Sequence, residues 1–220
     1  MKVPSIYNRN TRFLVVDIET PTNPNSIICD IAFGIWSGKE GKLGSAGYII
    51  EEFERYQTHY DKSAIYQDYK ENGLYHVRPF AKVMDIMDKI IDRYQPTFAT
   101  AYNSGFDFPR IKNECERQGI FCPLDRLTEF DLWRGACETL GQQKMFKQFV
   151  DKHNQKTEKG NRQSGAEVMY RYLKQNPNFV EEHTGLADIE IEMAILDRVQ
   201  RQKKKLSMIT GGNPWKLVQG

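Results

Sequence analysis

The sequence predicts an α/β sandwich: a mixed β-sheet, antiparallel in its first half and parallel later, flanked by helices. Three observations lead there. The N-terminal part carries apolar, β-branched runs separated by polar, glycine-punctuated reversals, as antiparallel strands do. From residue 80 onward, segments with apolar residues at helical spacing alternate with short apolar runs, as strand–helix crossovers do. The 220 residues suffice for one domain with a sizeable core, and no composition shift divides them.

Taken in order, Phe13-Leu14-Val15-Val16 reads as a buried strand after Asn10-Thr11-Arg12. Pro21 to Ser26 is a turn-rich loop. Ile27–Ser37 and Ser45–Phe53 are two strands around the reversal Gly38-Lys39-Glu40-Gly41-Lys42-Leu43-Gly44. Residues 54–78, polar and tyrosine-rich, are either short helices forming a flap or ordinary surface packing. Phe80–Tyr94 is a helix, with Val83, Ile86, Met87, Ile90 and Ile91 in its apolar stripe and Pro96 past its end. Thr97–Tyr102 is a strand, and a helix runs from about Asp107 to Gln118, closed by Gly119. Leu127–Leu132 is a short strand that leads into a helix ending near Leu140. Residues 141–165 read as a mobile loop or insertion. Ala166–Leu173 and Leu186–Val199 are helices, and 201–220 is a tail without clear structure, basic at Arg201-Gln202-Lys203-Lys204-Lys205.

Composition excludes more than it selects. Lys plus Arg is 31 against 29 Asp plus Glu, a net charge of +2, so bulk charge does not announce a nucleic-acid binder. Cys29, Cys115, Cys122 and Cys137 form no CxxC pair and lack histidines at ligand spacing, which argues against zinc and against a disulfide framework. Neither a signal peptide nor a membrane-spanning apolar run is present, so a cytoplasmic location is expected.

Chemistry enters at the end of the first strand, in Asp17-Ile18-Glu19-Thr20. Residues two apart on a strand share a face, so Asp17 and Glu19 bring two carboxylates together. Such a pair is relieved by a divalent cation, and hard oxygen donors suit magnesium or manganese. Alone, Asp-x-Glu has a blander meaning, in which Asp17 caps the strand and Glu19 points to solvent. Strand 97–102 likewise ends in polar groups, Asn103-Ser104-Gly105-Phe106-Asp107, at the edge where α/β sheets place ligands. Asp107 alone would be a helix N-cap. His183-Thr184-Gly185-Leu186-Ala187-Asp188 opens the last strong helix, where Asp188 alone would be a partner of the helix dipole and His183 a surface residue.

Together, Asp17-x-Glu19, Asn103-x-x-x-Asp107 and His183-x-x-x-x-Asp188 resemble the three motifs of the DEDDh 3′–5′ exonucleases, the proofreading-exonuclease group with a ribonuclease H-like fold. The resemblance covers roughly residues 12–199, with 54–78 and 141–165 matching no family pattern. It implies a single exonuclease domain over 1–220, with 54–78 and 141–165 as insertions or flaps and 201–220 as a tail. It implies two Mg2+ or Mn2+ ions held by Asp17, Glu19, Asp107 and Asp188, with Asp17 bridging, and His183 as the general base. Thr20 is implied as a backbone contact to the terminal nucleotide. Asn103 either touches substrate or shapes its turn, and Phe106 either lines the base pocket or packs under the sheet. Glu129-Phe130-Asp131-Leu132 resembles the strand-plus-Asp that follows motif two, where it is structural. The Arg201–Lys205 cluster either holds phosphates or is a solvated helix end.

The implied substrate is the 3′ end of single-stranded nucleic acid, DNA ahead of RNA, and the product a nucleoside 5′-monophosphate. An exoribonuclease or short-oligonucleotide nuclease on the same scaffold is the second reading, because choice of sugar depends on contacts to the 2′ position. A non-catalytic module that binds nucleic acid or protein is a third, disfavoured by the presence of all four carboxylates and the histidine. Partners include a separate polymerase or another replication or repair protein, in a bacterial or phage-infected cytoplasm.

Overall fold

The computed structural model describes residues 5–20, 28–54, 64–202, 204–208 and 210–220. The Pro21–Ser26 loop, Ile27, residues 55–63 of the tyrosine-rich segment, and Lys203 of the basic cluster lie outside the described residues. Its strands are β1 (Arg12–Glu19), β2 (Asp30–Ser37), β3 (Gly41–Ile50), β4 (Tyr75–Arg78), β5 (Phe98–Ala101) and β6 (Thr128–Asp131). Its helices are α1 (Glu51–Glu54), α2 (Ala64–Glu71), α3 (Phe80–Tyr94), α4 (Ser104–Gln118), α5 (Leu132–Thr139), α6 (Lys144–Lys152), α7 (Ala166–Lys174) and α8 (Gly185–Arg201).

The six strands form one sheet in the order β4-β3-β2-β1-β5-β6. β1 and β2, then β2 and β3, pair antiparallel, whereas β5 joins β1 and β6 joins β5 in parallel. This is the expected mixed sheet. The edge strand β4, parallel to β3, lies in the segment read as a flap or surface packing.

Alternation along β1 divides the core in two. Leu14, Val16 and Ile18 face a cluster with Val83, Met87 and Ile91 of α3 and Phe108 and Ile111 of α4. Phe13 and Val15 face the other way, against Phe146 and Val150 of α6, Met169 of α7 and Ile189, Ile195 and Leu196 of α8. α8 crosses β2 closely at Gly34, where a Cβ would come within 2.5 Å of the Met193 methyl.

Two segments are more ordered than expected. Residues 141–165, read as a mobile loop or insertion, contain α6, which buries Phe146, Phe149 and Val150 at i, i+3 and i+4. Residues 201–220, read as a structureless tail, end in a 3-10 turn over Pro214–Val218 and are tied to the body by hydrogen bonds. Arg134 Nη2 donates to Gly211 O (2.8 Å), and Arg162 Nη1 donates to Val218 O and Gln219 O (3.2 and 3.1 Å). The cysteines are buried and form no disulfide among the described residues. No helix among those residues is long and apolar enough to cross a membrane.

Candidate metal centre

The alternation that buries Phe13 and Val15 also turns Asp17 and Glu19 toward α8. In register, Asp17 stands opposite Ala32 and Glu19 opposite Asp30, so Asp30 shares that face. α8 starts where it does because Thr184 caps it, its hydroxyl accepting from Ala187 N (3.4 Å). Gly185 then lets the helix approach β2, since a Cβ there would meet the Ala32 side chain at 3.0 Å. Asp188 follows on the first turn. As a result one carboxylate oxygen each from Asp17, Glu19 and Asp188 lies within 4.8 Å of the others.

Asp107 approaches from α4. Its side chain is 3% exposed, and its Oδ1 accepts from Ile18 N (3.3 Å), the amide between the two β1 acids. Asn103 precedes α4 in left-handed backbone (φ 79°), where it shapes the turn out of β5. Phe106 packs partly into the α3–α4 core, with the Arg110 guanidinium 3.6 Å above its ring. Thr20 directly follows β1 and is half-buried. His183 sits on the segment before α8 with φ 54° and a side chain 73% exposed, its Nδ1 3.8 Å from Glu181 Oε2. The structure therefore gathers Asp17, Glu19 and Asp188, hydrogen-bonds Asp107 to the backbone between the first two, and leaves the His183 imidazole in solvent.

The charge balance of this cluster is its main property. Burial, then repulsion from Asp107, Glu192 and Asp188, pushes the Asp17 carboxyl far above the usual carboxylate range. Burial raises Glu19 to about 7, with Asp30 opposing its charge. Asp188 is raised by burial and by Glu181 and Glu19, and Asp107 chiefly by burial. Two ionised carboxylates about 4 Å apart repel by about 4 kcal/mol at an effective dielectric of about 20. Asp17 Oδ2 and Asp188 Oδ1 are shielded from solvent and have no hydrogen-bond donor among the described residues. Oxygen donors alone, converging with orphaned lone pairs and excess negative charge, fit a hard divalent cation.

The comparisons agree at the level of the fold. Escherichia coli Exonuclease I in complex with a dT13 oligonucleotide superposes with a TM-score of 0.59 at 16% identity, over 88% of this chain and 42% of that one. The zinc-bound form of the E. coli ExoI–ssDNA complex gives 0.57 at 16% identity, over 88% and 41%. An ExoI/SSB-Ct complex gives 0.55 at 12%, over 88% and 42%. The architecture is ribonuclease H-like. The chain spans 42% of the length of the dT13-bound Exonuclease I, and at this identity the likeness is one of fold. No protein-family model matches the sequence. No curated protein matches it either.

Three residues that sequence reasoning passed over shape the centre. Asp30, fully buried, accepts at Oδ2 from Tyr66 OH (2.8 Å), Tyr75 OH (2.8 Å) and Gly185 N (3.0 Å). It thereby ties β2, α2 and β4 to the start of α8, and a lone acid inside the apolar run 27–37 was its signal. Glu192, one turn after Asp188, is 1% exposed; its Oε1 accepts from Tyr102 N (2.7 Å) and its Oε2 has no partner among the described residues. Its i+4 spacing on the buried face of α8 was legible in the sequence. Glu181 abuts Asp188 and also interacts with His183.

Proposed function

We propose that this chain is a divalent-metal-dependent 3′–5′ exonuclease that shortens single-stranded nucleic acid from its 3′ end and releases nucleoside 5′-monophosphates. The observation that carries the reading is the convergence of Asp17, Glu19 and Asp188 within 4.8 Å, with buried oxygens that nothing else satisfies. The order of the three motifs and the exonuclease scaffold support it, and the oligonucleotides named for the structural neighbours favour DNA.

In this reading Asp17, Glu19, Asp107 and Asp188 hold two ions of Mg2+ or Mn2+. When bound, such ions stabilise charge on the attacking and leaving oxygens of a phosphodiester and make water a better nucleophile at neutral pH. His183 accepts a proton from the attacking water, the general-base role that a positioned imidazole can serve. Its exposed position before α8 requires it to turn from Glu181 toward the carboxylates. Water adds to the terminal phosphorus, the bond from phosphorus to the 3′ oxygen of the penultimate nucleotide breaks, and that oxygen takes a proton. Thr20, at the end of β1, contacts the departing nucleotide, and residues 1–220 act as one catalytic domain.

Digestion of matched 5′-labelled DNA and RNA oligonucleotides with Mg2+ or Mn2+, beside Asp17→Ala and chelator controls, tests this. A ladder that shortens from the 3′ end and vanishes in both controls is expected. A folded protein that leaves both polymers intact with either metal would end the reading.

A further inference from the structure

A cavity of about 710 Å3 opens beside the metal centre. Its walls come from four places: Trp133 on α5, the turn 157–163, the first turn of α7, and Trp215 on the C-terminal segment. Glu181, which abuts Asp188, also lines it, so the cavity continues from the acidic cluster. It is preformed. Tyr102 OH donates to Ser164 O (2.5 Å) and Trp133 Nε1 to Ser164 Oγ (3.0 Å), which anchors one wall to the C-terminal edge of the sheet. Arg162 donates to the C-terminal backbone and so fixes the wall that carries Trp215.

The chemistry of the lining selects its ligand. Its charged groups are mostly engaged by neighbours. Arg162 pairs with Asp151 (2.9 Å), Glu167 with Arg171 (3.0 Å), and Glu181 lies against Asp188 and His183. The indole N–H groups are engaged too, Trp133 with Ser164 and Trp215 with Asn213 Oδ1 (3.3 Å). What remains is two indole rings, the apolar surface of Ala166 and Val168, the carboxamides of Asn161 and Gln163, and the exposed side chains of Glu158 and Lys159. That set suits a flat, uncharged aromatic group with polar edges, and the volume lies in the ordinary range for a small-ligand site. Lys159 and Glu158 offer one charge of each sign, so the lining is not the cluster of cations that a bare phosphate would seek.

Resting on the exonuclease reading, we propose that this cavity receives an unpaired nucleobase of the substrate strand, upstream of the scissile phosphate, on the indole faces of Trp133 and Trp215. A base inside a duplex is covered on both faces by its neighbours and held by its partner. The cavity therefore admits single strands, and Trp215 makes the C-terminal segment part of the substrate site.

The test uses the full chain and a DNA dodecamer carrying one abasic residue at the second, third or fourth position from its 3′ end. Initial rates with Mg2+ are compared for the unmodified protein, Trp215→Ala and Trp215→Phe. One abasic position should raise KM about tenfold for the unmodified protein, the scale of one base–aromatic stack, with kcat little changed. Trp215→Ala should raise KM by a similar factor on the intact oligonucleotide and lose its response to that abasic position, while Trp215→Phe keeps most of it. If the intact strand is cleaved but no abasic position matters, or if Trp215→Ala responds as the unmodified protein does, the assignment falls and the cavity serves another ligand, such as a peptide. If the intact strand is not cleaved at all, the exonuclease reading itself has failed.

Discussion

Asp30 and Asp17 lie on adjacent strands, on the same α8-facing side, and differ in what meets them. Asp30 Oδ2 accepts from two tyrosine hydroxyls and the Gly185 amide, and burial moderated by these donors leaves it at about 6. Asp17 Oδ2 accepts from no donor among the described residues, and the charged groups that act on it are other carboxylates, Asp107, Glu192, Asp188 and Glu19. One acid has an oxygen saturated by three donors of the fold, although Asp30 Oδ1 is itself buried without a donor among the described residues; the other has an orphaned oxygen among carboxylates. A buried polar atom left without a partner costs about 1–3 kcal/mol, and more when charged. The contrast therefore rests on the three donors that Asp30 Oδ2 has and that Asp17 Oδ2 lacks among the described residues, and it marks Asp30 as an anchor of the fold.

Asp17→Asn should break the comparison most visibly. Hydrolysis of a single-stranded oligonucleotide should fall by about 10³-fold or more, since each decade is about 1.4 kcal/mol of barrier and metal stabilisation supplies several. In chelator the same variant should melt at or above the temperature of the unmodified protein, because a repulsive charge is gone. A variant that is both inactive and strongly destabilised in chelator would put Asp17 in the same class as Asp30.

Asp30→Ala should give the opposite pattern. It removes the acceptor shared by Tyr66 OH, Tyr75 OH and the Gly185 amide, so urea unfolding should show a loss of about 3 kcal/mol. Asp30→Asn keeps an acceptor for these donors and should lose about 1 kcal/mol or less. An unchanged urea midpoint for Asp30→Ala would contradict the anchor role.

The same contrast shows what sequence could convey. Asp17 and Glu19 were legible as a same-face pair because strand alternation is a local rule, and Asp188 as a first-turn residue because a helix start is local too, while their joint reading came from the resemblance of the three motifs. Asp30 was not, because its donors come from residues 66, 75 and 185 and meet only after the sheet forms. α6 carried a readable pattern at Phe146, Phe149 and Val150, but the polar residues around it masked a helix of nine residues. The C-terminal segment has no periodicity to read. Its order comes from Arg134 and Arg162, which are distant in sequence. The mixed sheet followed from the spacing of apolar runs, and the parallel edge strand β4 did not, since Tyr75–Arg78 is too short and polar to announce itself.

Titration should sharpen the comparison without mutation. Burial raises Glu19 to about 7 and Asp30 to about 6, above their unfolded values. A carboxyl whose folded pKa is raised favours the native state fully below its unfolded pKa, near 4, and loses that contribution as pH rises through the folded pKa. In chelator, the melting temperature should therefore decline between about pH 5 and 8. Added Mg2+ should flatten the decline, because ligation stabilises the ionised form. A melting temperature that rises over this window in chelator would mean that these acids are already paired with cationic groups.

Glu192 stands between the two classes, and its substitution should have the smallest effect. Its Oε1 is satisfied by the Tyr102 amide, as Asp30 Oδ2 is by its donors, while its Oε2 is orphaned among the described residues, with Asp107 and Asp17 close enough to repel it. Glu192→Gln preserves the first bond and removes the charge. If Glu192 mainly fastens α8 to the end of β5, the variant should unfold in chelator at a urea midpoint equal to or slightly above that of the unmodified protein, with activity within about threefold. A loss of activity near that of Asp17→Asn, together with weaker Mn2+ binding measured by calorimetry, would instead place Glu192 among the ligands. The fastening role is favoured by where its one bond goes. Tyr102 closes β5 at the sheet edge from which Asp107 descends, so the amide bond sets how far α8 stands from β5 and hence how far Asp188 stands from Asp17.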